Sequence, residues 1–464
     1  MDRICKLLVL LALPLASLAQ PHVLTLEGCR EMALENSLNL KSSAERILAS
    51  HDNLKAYRAN NLPNFSLSGG YIYSTASFTE TIYGGLLPTF SPNLTTGEMI
   101  PNVVGFAEDG SAIFSSYAYM PDIVFDCEVG SLYYAGVLAT QPIYMGGKIS
   151  TATKLARLGV DVAEIEQSRT EADVILSVDE AFYTYLKVGE MLHCANQYRV
   201  AVDELYRQVE SMLNNGMCTS NDLLRVQVEV NRAEVQQLKA TNGVVLARMN
   251  LCYIIGLPLA TLDIEVVESF NMHMTLDRSL DLSCRPEFKL LEKSVEAREL
   301  EVKLAQSDFK PTLSALASYN YTNGFKINGE TILGSSPSFT GGVVVNVPIF
   351  HWGEGRRKVS AARHEVEITR NSQADLMQKM TLELMRSINS YVEAQAEVVL
   401  MERTVEQAKE NLRQSSREFA VGMVTLTESL EAQALWQKAM GDLVEARANQ
   451  RIAYAHYCRS RGEE

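Results

Sequence analysis

Positions 142 to 216 of this chain recur without a gap at 348 to 422, an offset of 206 residues. Pro142-Ile143-Tyr144 returns as Pro348-Ile349-Phe350 and Gly216-Met217 as Gly422-Met423, while further on Cys252 and Gly256 return as Cys458 and Gly462. A unit used twice in tandem restricts the fold to a pair of like halves.

Each copy carries a heptad far longer than a globular core needs. In the later copy the seam runs Met377, Met380, Leu384, Ser387, Tyr391, Ala394, Val398, Met401, Val405, Ala408, Leu412, Ser415 and Phe419. Spacings of three and four alternate throughout, which keeps one seam on one side of a slightly under-wound helix. The earlier copy holds the same register from Glu171 and Val174 through Val178, Ala181 and Tyr185 to Val209 and Leu213. No Pro falls between Gly147 and Gly216 or between Gly353 and Gly422. At about 1.5 Å per residue, nearly seventy residues make a helix of roughly 100 Å.

Met1 to Ala19 reads as a secretory leader: Arg3 and Lys6, an apolar run from Leu7, then Ser17-Leu18-Ala19 as a small-x-small cleavage site. Its removal takes Asp2, Arg3 and Lys6, leaving 40 basic against 55 acidic residues, a poor charge balance for binding nucleic acid. No later run of about eighteen apolar residues exists, so any membrane crossing must use strands closed into a barrel. The mature chain keeps seven cysteines without a CxxC pair, which reads as mostly buried free thiols rather than a disulfide framework or metal site. Motifs for a metalloprotease, a nucleophile elbow or a P-loop are missing, so no catalytic residue, metal or cofactor is expected.

Taken in order, the first repeat spans 20–257 and the second 286–464, with an equatorial segment at 258–285 between them. The first repeat reads as a helix ending at Leu62-Pro63, strands 63–74 and 131–145, a long helix 147–215 and a return helix 220–255. Strands 312–322 and 338–350, a long helix 353–420 and a return helix 426–460 follow in the second. In the first strand Phe65, Leu67, Gly69, Tyr71 and Tyr73 alternate with Ser66, Ser68, Gly70 and Ile72, the period of a half-apolar transmembrane strand. Residues 74–130 read as a long linker broken by Pro88, Pro92, Pro101 and Pro121; the first hairpin exceeds the second by 42 residues. In the equatorial segment Leu262 to Phe270 suits a strand and Leu276 to Leu282 a short helix. Gly216 and Gly422 suit a left-handed helix end, and Thr219 with Asp222 and Thr425 with Glu428 form capping-box patterns.

Over almost its whole mature length the chain resembles the TolC-like outer membrane efflux proteins. The resemblance rests on Leu24-Thr25-Leu26-Glu27, Leu62-Pro63-Asn64-Phe65, Gln141-Pro142-Ile143-Tyr144 with Gly146-Gly147, Gly256-Leu257-Pro258, Arg285-Pro286-Glu287 and Pro348-Ile349-Phe350 with Gly353, in this order inside a duplicated unit. It implies a mainly α protein with a transmembrane β-barrel portion, in which four strands per protomer of a homotrimer close one twelve-stranded barrel, continued by a coiled-coil helical barrel into the periplasm. Four strands alone close no conducting barrel, so oligomerisation is required on physical grounds as well.

The function implied is that of an outer membrane exit duct, passively conducting substrates delivered by a periplasmic adaptor protein and an inner-membrane pump. By position, the adaptor contacts fall on Gly216, Met217, Thr219, Ser220 and Asp222 and on Gly422, Met423, Thr425 and Glu428. Simple turn formation is the other reading of the same residues. Acidic rings near a closed aperture map to Glu428 and Glu431, with an ordinary solvated helix face as the alternative; Val424 stands where a basic gating partner is sometimes found. Tyr71, Tyr73, Tyr133, Tyr134, Tyr319, Tyr321 and Trp352 are the candidate aromatic girdle against outer membrane lipid. The competing functions are the exit duct of a type I protein secretion system and a secreted coiled-coil adhesin. An adhesin leaves two strand pairs, each between a short and a long helix, without a purpose.

Overall fold

The computed structural model describes residues 22–128, 131–259, 264–266, 276–323, 325–333 and 336–463. The expected leader and most of 260–275 lie outside these residues. By internal contacts the chain forms two compact units, one holding residues up to Lys55, Thr153–Lys303 and Arg357–Glu464, the other Ala56–Ala152 and Leu304–Arg356.

The duplication is visible in the helix lengths. After β1 (His22–Leu24) and α1 (Leu26–Asn36), the helices α2 (Leu38–Ala59), α3 (Lys148–Asn214) and α4 (Ser220–Ile255) have 22, 67 and 36 residues. Their counterparts α5 (Pro286–Ser307), α6 (Glu354–Ala420) and α7 (Leu426–Arg461) have 22, 67 and 36 as well. The heptad seams supply the buried face: Val178, Ala181, Ala195, Val202 and Val209 on α3, and Met380, Leu384, Tyr391, Ala394 and Val398 on α6.

Within the helical unit three apolar clusters form. One packs Leu24, Leu26, Cys29 and Ala33 against Val178, Ala181 and Phe182 of α3 and Leu251 and Ile255 of α4. A second packs Leu282 against Met380, Leu384 and Ile388 of α6 and Tyr457 of α7. The N-terminal segment and the chain before α5 thus dock on the middles of the long helices, where the shorter return helices end. β1 pairs in parallel with β12 (Ile264–Val266), inside the stretch expected to be a strand.

Ion pairs fix these junctions. Arg30 donates to both carboxylate oxygens of the buried Asp179, Nε to Oδ1 at 2.8 Å and Nη2 to Oδ2 at 2.6 Å. Arg285, buried at 4 % exposure, donates to Glu383 at 3.0 Å, and Arg459 bridges Asp173 and Glu287. Fork-shaped donors satisfy paired carboxylates in a way a lysine does not.

Three expectations fail. Residues 276–282 form no helix; Asp277 accepts the Ser279 N–H and Asp281 the Ser283 N–H, both at 2.9 Å. Asp side chains that capture the backbone two residues on compete with a helical turn. Residues 74–130 are not an irregular linker, because Ile, Val, Phe and Tyr between the prolines pair as β3 (Ser77–Ile82), β4 (Gly85–Pro88), β5 (Phe90–Pro92), β6 (Met99–Pro101), β7 (Val103–Phe106), β8 (Ala112–Phe114), β9 (Tyr117–Met120) and β10 (Ile123–Glu128). The seven cysteines form no disulfide, yet Cys29, Cys194 and Cys252 alone are buried and Cys284 is exposed.

The second unit is built on an antiparallel sheet of β2 (Asn64–Tyr73), β11 (Ser131–Met145), β13 (Thr312–Asn323) and β16 (Ser336–Asn346), in the order β16-β13-β11-β2. One hairpin from each repeat therefore lies side by side, joined along β11 and β13 over twelve register pairs from Tyr133↔Asn323 to Met145↔Thr312. β16 ends at Asn346, short of the expected 350, because Pro348 lacks an amide donor. β14 (Phe325–Ile327) and β15 (Glu330–Leu333) form a smaller extension of the second hairpin.

Removing the carboxylate in Asp179→Ala strands the Arg30 guanidinium. The expected cost is about 2–3 kcal/mol, below that of a fully buried pair because Arg30 stays about a third exposed. Thermal unfolding of the detergent-solubilised protein reads it.

Candidate functional site

Residues opposite one another across a ladder share a face, so the register sorts the sheet into two surfaces. One carries Phe65, Leu67, Tyr71 and Tyr73 of β2, Tyr133, Ala135, Val137 and Ala139 of β11, Ala317, Tyr319 and Tyr321 of β13, and Phe339, Val343 and Val345 of β16. The other carries Asn64, Ser66 and Ser68, then Thr140, then Thr312, Ser314, Ser318, Asn320 and Thr322, then Ser338, Thr340 and Asn346, with Ile72, Leu132, Tyr134, Leu138, Leu316 and Val344 among them. No residue of the four strands is charged. Leu67 is 81 % exposed and Phe339 73 %, so the apolar surface has no cover among the described residues. Both outer edges, β2 and β16, end the sheet with their hydrogen-bonding groups unpaired along one side.

The expected girdle divides. Tyr71, Tyr73, Tyr133, Tyr319 and Tyr321 lie on the apolar surface toward one end of the strands, and the rings of Tyr71 and Tyr133 stack with centroids 4.9 Å apart. Tyr134 belongs to the opposite surface, since neighbours along a strand alternate; its ring lies over Gly70, where a Cβ would come within 2.6 Å of it. Trp352 is on no strand. It stands just before α6 with φ of +50°, 90 % exposed and packed on Phe350 at a centroid distance of 4.8 Å. Exposed Ile349 and Phe350 adjoin it, apolar neighbours the sequence reading passed over although they sit in the repeated Pro-Ile-aromatic word.

At the other site, in the helical unit, two turns of identical construction close the helical hairpins. Gly216 adopts φ of +73° and Gly422 of +78°. The amide after each glycine bonds back five residues, Met217 N to Met212 O and Met423 N to Glu418 O, both at 2.8 Å. Each glycine itself donates to the carbonyl three residues back at 3.0 Å, completing a Schellman motif. Thr219 then caps α4, with its hydroxyl accepting the Asp222 N–H at 3.2 Å and the Asp222 carboxylate accepting the Thr219 N–H at 3.0 Å. Thr425 and Glu428 repeat this reciprocal pair on α7 at 3.3 and 2.7 Å.

These bonds settle what several candidate residues do locally. Glu428 is engaged with its own helix start, and the Thr425 N–H and then its hydroxyl hold its carboxyl below the ordinary range. For Asp222 the Thr219 hydroxyl is the larger cause and its N–H the second. Glu431 is exposed one turn further on, and Ser220 is likewise exposed. Met217 and Met423 project at 72 % and 78 % exposure. Behind them one cluster of Val202, Leu205, Val209, Val226, Phe419 and Leu426 holds both turns together. Arg225 Nη1 donates to Thr427 Oγ1 at 3.4 Å, linking α4 to α7. Shifting Glu431 back by 206 residues lands on Arg225, so aligning the repeats was the signal that would have found it.

Since nothing lies within 4 Å of a Cβ at either turn glycine, the effect of Gly216→Ala or Gly422→Ala is conformational. Each is expected to loosen its turn by about 1 kcal/mol, read as faster hydrogen exchange of the flanking amides. Acid has a related effect. A carboxyl with a depressed folded-state pKa stabilises fully above its unfolded value, near pH 4, and that contribution disappears as pH falls through the depressed value. Protection factors at 219–222 and 425–428, corrected for intrinsic exchange, are expected to fall below about pH 4 and to stay flat between about pH 5 and 8.

Comparison with known proteins places this geometry. The family model described as Outer membrane efflux protein matches residues 125–257 and 279–457. The alkaline protease secretion protein AprF of Pseudomonas aeruginosa is 23 % identical over 309 residues, covering 64 % of each chain, so the match spans less than two thirds of that relative. The outer membrane protein TolC of Vibrio cholerae is 22 % identical over 327 residues, 68 % of this chain and 73 % of its own. The crystal structure of the Campylobacter jejuni CmeC outer membrane channel superposes with a TM-score of 0.71 at 16 % identity, over 94 % of this chain and 85 % of that one. With more than half of the chain inside the matched residues, which take in parts of both repeats, the chain belongs to the outer membrane efflux protein family, a family of channels and not of enzymes.

Proposed function

We propose that three copies of this chain form the outer membrane exit duct of an export system, passing cargo from a periplasmic adaptor and an inner-membrane pump to the exterior. One observation carries the reading: a four-stranded, uncharged sheet, with aromatic and branched side chains along one surface and most of its Ser, Thr and Asn on the other, and with both edges open. A sheet edge cannot stand in hydrocarbon unsatisfied. Among the described residues no helix is long and apolar enough to cross a membrane, so the sheet is the part suited to do so. Copies joined β2 to β16 give twelve strands, with Ser, Thr and Asn toward water and Leu, Val, Phe and Tyr toward lipid.

The helices support the same assembly. On α4 the exposed Leu224, Val228, Val235, Leu238 and Met249 recur at heptad positions, and on α6 so do Leu382, Met385, Val392 and Val399. These are second seams, distinct from the buried ones, and a neighbouring copy supplies their cover. Met217, Met423 and the exposed rims of the two turns are the surface offered to the adaptor. Glu431 is the better candidate for an acidic ring, because Glu428 is engaged as a cap.

A polypeptide cargo is the second reading, favoured by the relative named for alkaline protease secretion. Covalent capture of the pump from intact cells separates the two.

Purified protein in a planar bilayer is expected to conduct and to run as a trimer on unheated gels; a monomer without conductance refutes the duct. In that bilayer Glu431→Gln is expected to lower cation preference in the reversal potential, whereas Glu428→Gln leaves it nearly unchanged.

A further inference from the structure

Beyond β2 and β11 the first hairpin does not stop. β3 begins three residues after β2 ends, and β10 ends shortly before β11 begins. β3, β10, β14 and β15 make their own four-stranded sheet in the order β15-β14-β10-β3, which repeats column by column the order β16-β13-β11-β2. The two hairpins, one from each repeat, are bound together here too. Asn328 N–H donates to the Asp126 carbonyl and Asp126 N–H donates to Asn328 Oδ1, both at 2.7 Å.

The first hairpin's share of this outer sheet has no buried core. Between Ser74 and Cys127 no residue is buried, and Phe78, Tyr83, Leu86, Phe106 and Tyr119 are each more than 60 % exposed. A ladder of short strands without a covered face is marginal in water. Its edges, β3 and β15, are open along one side, as are β2 and β16 beneath them.

We propose that β3 of one copy pairs with β15 of the next, so that a second closed ring of strands carries the duct outward beyond the bilayer. The inference rests on the trimeric barrel reading. Once β2 meets β16 of a neighbour, β3 and β15 occupy adjacent columns, and a second copy of the chain is the occupant that continues this contact without a new geometry. A membrane-crossing strand takes about ten residues, the length of β2; the ring beyond it is limited by the three residues of β14 and the four of β15, which at about 3.4 Å each give roughly 10–14 Å of continuous wall. Charge does not favour a chance self-contact. Between Ala59 and Gly147 there are seven acidic residues and no Lys, Arg or His. Three of the seven are already used inside the hairpin, Asp126 by the Thr79 hydroxyl at 2.9 Å, Asp122 by the Gly84 N–H at 2.7 Å and Asp109 by the Ser111 N–H at 3.0 Å.

Cysteine pairs treated with a short bismaleimide in intact outer membranes test the ring. The outer pair is Thr81→Cys with Glu330→Cys, and Ser77→Cys replaces Thr81→Cys as a second position. Ser68→Cys with Thr340→Cys on β2 and β16 reports the barrel itself. Both pairs are expected to give covalent dimers and trimers on denaturing gels, well above the single variants and the unaltered chain. If the barrel pair links while both outer pairs stay monomeric in trimers confirmed on unheated gels, the outer ring is refuted and the barrel stands. If neither pair links, the barrel reading fails and takes the ring with it.

Discussion

The unpaired backbone along β2 and β16 is the constraint from which the rest of the molecule follows. In water such an edge is tolerated, whereas in hydrocarbon each unsatisfied amide costs several kcal/mol. A chain with four strands and two raw edges is therefore incomplete, and its side chains say the same, with one surface apolar from Phe65 to Val345 and lacking cover among the described residues. The second heptad seams on α4 and α6 are the helical form of the same incompleteness. Each repeat contributes one hairpin, and the join between β11 and β13 is the kind of strand pairing that the proposed contact between copies would repeat.

Duplication explains the likeness of the two halves, and the places where they depart show where each has a separate task. Asp179, which receives Arg30, is met in the other half by Met385; there the segment before α5 is anchored by Arg285 on Glu383 instead. Arg225 is met by Glu431, so two turns with identical backbone bonding carry opposite charge one helical turn beyond their caps. The strand hairpins differ most, and the extra length in the first builds paired strands rather than slack.

Much of this was legible in the residues. A period of seven sustained over nearly seventy positions admits few structures, and glycine followed by a Thr-x-x-acid pattern marks a helix end and a helix start by local chemistry alone. What was not legible depended on partners distant in sequence. Whether Asp277 and Asp281 cap turns or sit in a helix is a close local competition, decided here by the backbone two residues ahead. Tyr133 and Tyr134 look equivalent as adjacent aromatics until register against β2 and β13 assigns their faces. The strands between the prolines escaped notice because each is only three to six residues long and gains meaning only with its partner. Capping by Glu428 was visible as a pattern, yet its consequence, that a carboxylate closing a helix start is a poor choice for a ring, needed the bond itself.

The matched helix lengths, 67 with 67 and 36 with 36, bear on how this family can change size. One shared apolar cluster ties the two turns, so lengthening one hairpin alone drags its turn out of level with its sister. An insertion of any number other than a multiple of seven also rotates the seam away from its partner. A change of length in one hairpin therefore has to be matched in its sister for the two turns to stay level, and whole heptads are the step that leaves the seam in place.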